Sequence, residues 1–150
     1  MRKIFHYILM VALSAGGLLT LSCDNGTVTE EHMNAERALV GINWQISEIY
    51  LRHAATGQQE WRPVSDSPLK LSLYFRNDNT YIASLSTNSG QNFTNYKGKY
   101  TVIGSTFYCS YDNRDLITFT YKSTKGNVVE GTLTATPYSS QPYEVRLGRQ

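Results

Sequence analysis

The chain is short of the residues that most catalysis and metal binding need. Its 150 residues include two cysteines, three histidines, four prolines and two tryptophans. With Cys23 and Cys109 alone, no zinc-ligand or redox Cys-x-x-Cys spacing exists. His6, His32 and His53 stand far apart, so a metal site would need partners converging from elsewhere. No Gly-x-Ser-x-Gly elbow occurs, and Ser65-Asp66-Ser67 reads as loop chemistry. Asp112 and Asp115 flank Asn113-Arg114 without the alternating oxygen ligands and closing Glu of a calcium loop. No carboxylate pair stands out for glycosidase chemistry. No cofactor and no metal is expected, and the chain does not read as an enzyme.

Charge of one sign is also lacking. The formal +2 is carried by Arg2 and Lys3, and beyond them twelve basic residues face twelve acidic ones. A neutral chain has no electrostatic footprint for nucleic acid. After residue 22 there is no long apolar run, so the one such run, Ile4 to Leu21, carries most of the information about location.

That run follows the positive pair Arg2-Lys3 and ends in Leu18-Leu19-Thr20-Leu21-Ser22-Cys23, the layout of a secretory signal. Eighteen uncharged residues are barely enough to span a bilayer core of about 30 Å. Gly16-Gly17 weaken a helix there, and no Lys/Arg cluster follows to stop transfer. The border resembles a bacterial lipobox: Ser22 fits the position before the cysteine, while Thr20 stands where Leu is usual. Cys23 is therefore the expected lipidation site, and several acyl chains hold a protein stably where one does not. The expected organisation is a lipoprotein signal peptide over 1–22, a flexible tether over 23–31 and one domain over 32–150. The expected location is the bacterial cell envelope, lipid-anchored at the periplasmic face or the cell surface. Asp24 after the cysteine carries no conclusion about which membrane.

With Cys23 acylated, Cys109 has no partner in the chain. It sits in Thr106-Phe107-Tyr108-Cys109-Ser110-Tyr111, a strand pattern, and reads as a packed core thiol rather than a nucleophile.

Glu31 to Val40 predicts one or two helical turns stopped by Gly41. Thereafter the chain alternates. Ile42–Leu51 is a strand whose phase slips near Glu48, as a bulge would cause. Arg52 to Pro68 reads as a long polar connection in which Trp61 covers an end of the core. Leu69–Phe75 and Thr80–Ser86 flank the turn Asn77-Asp78-Asn79. Phe93–Ile103 and Thr106–Tyr111 flank Gly104-Ser105, a two-residue turn with glycine leading. Leu116–Tyr121, Val128–Thr136 and Tyr143–Leu147 complete eight strands joined by short connections. The fold class is all-β: an up-and-down meander of eight strands with a short N-terminal helix. Such a meander can close, pairing Ile42–Leu51 with Tyr143–Leu147 and removing both edges.

Several segments resemble one family. Gly41-Ile42-Asn43-Trp44 resembles the Gly-x-Trp start of lipocalin-like domains, with one residue more. Phe75-Arg76-Asn77-Asp78-Asn79-Thr80-Tyr81 resembles the strand-turn-strand hairpin of their bacterial versions. Tyr96-Lys97-Gly98-Lys99-Tyr100-Thr101-Val102 resembles the strand that follows. Glu130–Thr134 and Val145–Leu147 suit their closing strands. The chain is similar, from Gly41 to Arg149, to small lipocalin-like lipoproteins of Gram-negative bacteria. The resemblance implies an eight-stranded barrel whose mouth or interior takes a small apolar molecule. It transfers no individual ligand residue, and a barrel this small can be filled by side chains.

Ten of the eleven tyrosines lie beyond the signal. They serve a binding surface or simply reflect strand preference. The aromatics singled out for a ligand are Trp44, Trp61, Tyr74, Tyr81, Tyr96 and Tyr100. The partners expected are a membrane through Cys23 and either a small apolar ligand or another envelope protein.

Overall fold

The computed structural model describes residues 30–52, 55–67, 69–136 and 139–150, and of residue 66 the backbone alone. Cys23, the 1–22 signal and His53 lie outside the described residues.

Helix α1 (Glu30–Leu39) starts with Glu30 and Glu31 in its first turn and has Arg37 in its last, both favourable to the helix dipole. It therefore takes in the last two residues of the 23–31 segment expected to be a tether. Ala35 and Leu39, one turn apart, are fully buried. Gly41 follows at φ +79°, and its N–H donates to the Phe75 carbonyl at 2.8 Å.

Nine strands follow: β1 (Asn43–Arg52), β2 (Gln59–Pro63), β3 (Lys70–Phe75), β4 (Thr80–Ser86), β5 (Thr94–Ile103), β6 (Thr106–Tyr111), β7 (Arg114–Lys125), β8 (Val128–Ala135) and β9 (Ser139–Arg149). From β3 to β9 each strand pairs antiparallel with the next, and β1 pairs with both β3 and β9. Eight strands thus close an antiparallel barrel, as expected, with the first and last strands forming the seam. The alternation is unbroken in β3 and β8, where every second residue is buried. The phase slip in β1 is a bulge between Ile46 and Glu48, and the skipped Ser47 hydroxyl donates to the Arg146 carbonyl at 3.1 Å.

The stretch from Arg52 to Pro68 corrects the sequence reading. It is not all connection, because β2 pairs with β1 from Glu48↔Pro63 to Arg52↔Gln59. β3 pairs with the same edge of β1 further along, from Gln45↔Ser72 to Asn43↔Tyr74. Both run antiparallel to β1, so β2 and β3 act as one strand interrupted by the six residues of 64–69. The interruption holds a 3₁₀ turn (Val64–Asp66) tied down by the Leu69 N–H on the Ser67 hydroxyl and by Lys70 Nζ on the Val64 carbonyl. β7 and β9 also run further than their apolar cores.

The ends of the barrel differ. α1 crosses one of them. Its first half borders a recess of about 490 Å³ with Ser105 and Tyr121–Thr124, and its second half one of about 300 Å³ with Asn77, Asn79 and Tyr100. The loops 87–93 and 112–113 lie at the other end.

Candidate functional site

The aromatics singled out from sequence separate into four places. Trp44 and Tyr100 seal the end under α1. Trp44 is fully buried, and its Nε1–H donates to the Leu39 carbonyl at 3.1 Å, which occupies a carbonyl left open at the helix end. Tyr100 is 5 % exposed and its hydroxyl donates to the Arg76 carbonyl at 2.8 Å. Burial pushes its phenol pKa up to about 12. Phe75 and Phe107 pack against the Tyr100 ring, with centroids 5.1 and 5.6 Å from it and 4.6 Å from each other. This end is filled and its polar tips are paired, so Trp44 and Tyr100 are core residues rather than ligand contacts.

Tyr74 alternates to the outer face of β3 and is half-buried there. Trp61 is also outside the barrel, on β2. Its ring lies 5.3 Å from Tyr50, and the Arg146 guanidinium stands 4.1 Å above it. Arg146 bonds Glu48 at 2.9 Å and Glu130 at 3.0 Å, in one row across β1, β9 and β8. Trp61 therefore fastens β2 to the outer wall and does not cover an end of the core.

Tyr81 and Tyr96 come together, and they bring a residue the sequence did not single out. Tyr81 lies inside β4, 1 % exposed, with its ring across Gly98 of β5. A Cβ at Gly98 would strike that ring and the Ser110 carbonyl, so the glycine exists to let the strands and the ring approach. The same device recurs at Gly131, under Phe119. The Tyr81 hydroxyl is buried and has no hydrogen-bond partner among the described residues. Burial, with Cys109, Tyr111 and Tyr96 nearby, pushes its pKa well above that of an ordinary phenol. It is thus a neutral donor with no acceptor among the described residues.

Tyr96 is half-buried and meets Tyr111 edge-to-face, with ring centroids 5.2 Å apart. Tyr111 is 46 % exposed, and both phenols of this pair are close enough to act on the Tyr81 hydroxyl electrostatically. Phe93, 53 % exposed, lies at the end of the 87–93 loop on the same side. Tyr111 follows a register shift between Cys109 and Ser110 and is left exposed where its phase with the buried Phe107 and Cys109 would bury it.

The other candidates are structural. Cys109 is fully buried and has no disulfide partner among the described residues, and burial, then Asp115, pushes its thiol pKa up. It is a packed thiol held in the protonated form. His32 sits 3.4 Å from Glu36, one helical turn on. Asp115 accepts from the Ser110 hydroxyl at 3.1 Å, and Asp112 is a turn residue at φ +51°. Among the described residues no three His, Cys, Asp or Glu side chains are grouped to hold a metal.

A closed eight-stranded meander with a helix across one end is the architecture that the motifs imply. A family model described as a lipocalin-like domain matches residues 39–138. The chain belongs to the lipocalin-like domain family. The match runs from the last residue of α1 through β8, and the closing strand β9 lies beyond it. No curated protein and no solved structure matches the chain. In this lipocalin-like barrel Tyr81, Tyr96 and Tyr111 bring a buried hydroxyl, unpartnered among the described residues, close to an exposed ring.

Proposed function

We propose that this lipocalin-like protein is a lipid-anchored, extracytoplasmic binding protein that takes a small apolar ligand at its tyrosine-lined end. It works as a binder, not an enzyme. One observation carries the ligand reading: the buried Tyr81 hydroxyl, without a hydrogen-bond partner among the described residues and close to the Tyr96–Tyr111 pair. An unsatisfied buried hydroxyl costs about 1–3 kcal/mol. A ligand oxygen accepting from it would offset that cost, while its apolar body would displace water from the rings. The ligand chemistry that fits is therefore a flat apolar molecule with one neutral acceptor, such as a carbonyl. The anchor reading rests on the sequence border at Cys23, after an uncharged run and before a polar chain. It locates the protein in a bacterial envelope, with a membrane as its first partner and no role for nucleic acid.

Native mass spectrometry of the protein purified from its own host tests the ligand. A co-purified small molecule, lost on substituting Tyr96 and Tyr111 by Ala, is the expected result. If no adduct is found, the exposed rings of Phe93 and Tyr111 favour a second reading, the docking of an envelope protein at this same end. The anchor is tested separately: Cys23→Ser is expected to move the protein from the membrane to the soluble fraction.

A further inference from the structure

We propose that the end of the barrel crossed by α1 rests against a lipid bilayer through Met33 and Ile103, and that the tyrosine-lined end faces away from it. The inference rests on the anchor read at Cys23. From Cys23 to Glu30, where α1 begins, is a step of seven residues, a reach of at most about 25 Å. The first half of α1 stands beside the turn between β5 and β6, since Glu31 and Asn34 share a recess with Ser105. Acyl chains on Cys23 therefore bring this corner of the barrel to the membrane.

Two large apolar side chains stand in solvent at that corner. Ile103, immediately before the turn, is 66 % exposed, and Met33 is 40 % exposed. At about 100° per residue, Met33 lies on the side of α1 opposite Ala35 and Leu39, which point into the barrel. It therefore points outward from the capped end. A single exposed apolar side chain needs no explanation. These two are distinguished by their position, where the anchored chain enters the domain. Seating them at the lipid interface removes apolar area from water that the fold itself leaves exposed.

Phe93 and Tyr111 are exposed at the other end, but a barrel's length further from the anchor. The eight residues of β8 run between the ends and span roughly 25 Å along the strand. For that end to touch lipid, the chain from Cys23 would have to lie fully extended along the barrel wall. The acyl chains supply the retention, and the Met33–Ile103 contact supplies the orientation. The ligand entrance is then presented to the aqueous compartment.

The test uses the host-processed protein in phosphatidylcholine vesicles, as two variants, Ile103→Cys and Asn92→Cys, each labelled with a nitrobenzoxadiazole fluorophore. Cys109 is buried and stays unlabelled. The label at 103 is expected to shift to the blue and lose emission to nitroxide-bearing lipids; the label at 92, in the far loop, is expected to do neither. A protein that floats with the vesicles while its 103 label stays unquenched would overturn the orientation and leave the anchor intact. Equal quenching at 92 would overturn it too. A protein that does not float removes the anchor and the orientation together. A 103 label shielded in whole envelopes, yet unquenched in pure lipid vesicles, would make the face a protein-docking surface and overturn the proposal.

Discussion

The two ends of the barrel use the same residue types to opposite effect. Under α1, the indole of Trp44 and the hydroxyl of Tyr100 each reach a backbone carbonyl, of Leu39 and Arg76. At the other end the Tyr81 hydroxyl is as deeply buried and reaches nothing among the described residues. An aromatic with a satisfied tip is a finished core residue, and one with an orphaned tip still has a hydrogen bond to give. The difference lies in a single hydrogen bond per ring, not in composition or exposure.

The largest expected effect tests whether the capped end is as tightly packed as its rings imply. Phe107→Ala empties the centre of the Phe75–Tyr100–Phe107 cluster and should cost about 3–5 kcal/mol in denaturant unfolding. A loss below about 1 kcal/mol would show that this end is loose.

Gly98→Ala tests the other end. The added methyl meets the Tyr81 ring and the Ser110 backbone, and overpacking of this kind costs about 1–3 kcal/mol. If the melting temperature does not fall, the close approach of β4, β5 and β6 that positions Tyr81 is wrong.

A matched pair sharpens the comparison most directly. Tyr100→Phe removes a paired hydroxyl and leaves the Arg76 carbonyl short of a donor, so stability should fall by about 1 kcal/mol. Tyr81→Phe removes an orphan, and stability of the unliganded protein should rise by a similar ~1 kcal/mol. The same Tyr81→Phe change should weaken binding of 2-acetylnaphthalene and leave that of 2-isopropylnaphthalene unchanged, as read by calorimetry. Equal signs of the two stability changes would erase the distinction between the ends.

A separate effect is expected at high pH. The Tyr100 phenol is raised from 10.0 to about 12 in the folded protein. Its neutral form is favoured by folding, so the contribution is whole below pH 10 and is lost as pH rises from about 10 towards 12. Tyr81 and Cys109 shift in the same direction. The unfolding midpoint should decline over that window, and less steeply in Tyr100→Phe.

Much of the barrel was legible because its core obeys a period of two. Leu69, Leu71, Leu73 and Phe75, and Val129, Leu133 and Ala135, declare their buried face in the sequence. The slip at Glu48 and the leading glycine at 104 were readable for the same reason, since each is a defect in an otherwise regular pattern. β2 was not readable. Its one large apolar residue, Trp61, packs outside the barrel on Tyr50 and Arg146, so Gln59–Pro63 shows no core-facing signal and ends in a proline. Alternation puts Tyr81 in phase with Ala83 and Leu85, and Tyr96 with Tyr100, on faces that are buried or half-buried. It could not say which hydroxyl would find a carbonyl, because that depends on Arg76 and on strand pairings distant in sequence.

The seam between β1 and β9 has a consequence for the order in which the molecule can be made. Trp44 pairs with Arg149 and Ile46 with Leu147, so the first strand has no partner on that side until residues 145–149 have been made. Contacts this far apart in sequence form late. A chain still emerging from the ribosome has no β9 and cannot close. A truncation before Glu144 would leave β1 and β8 as open edges, the state that invites aggregation.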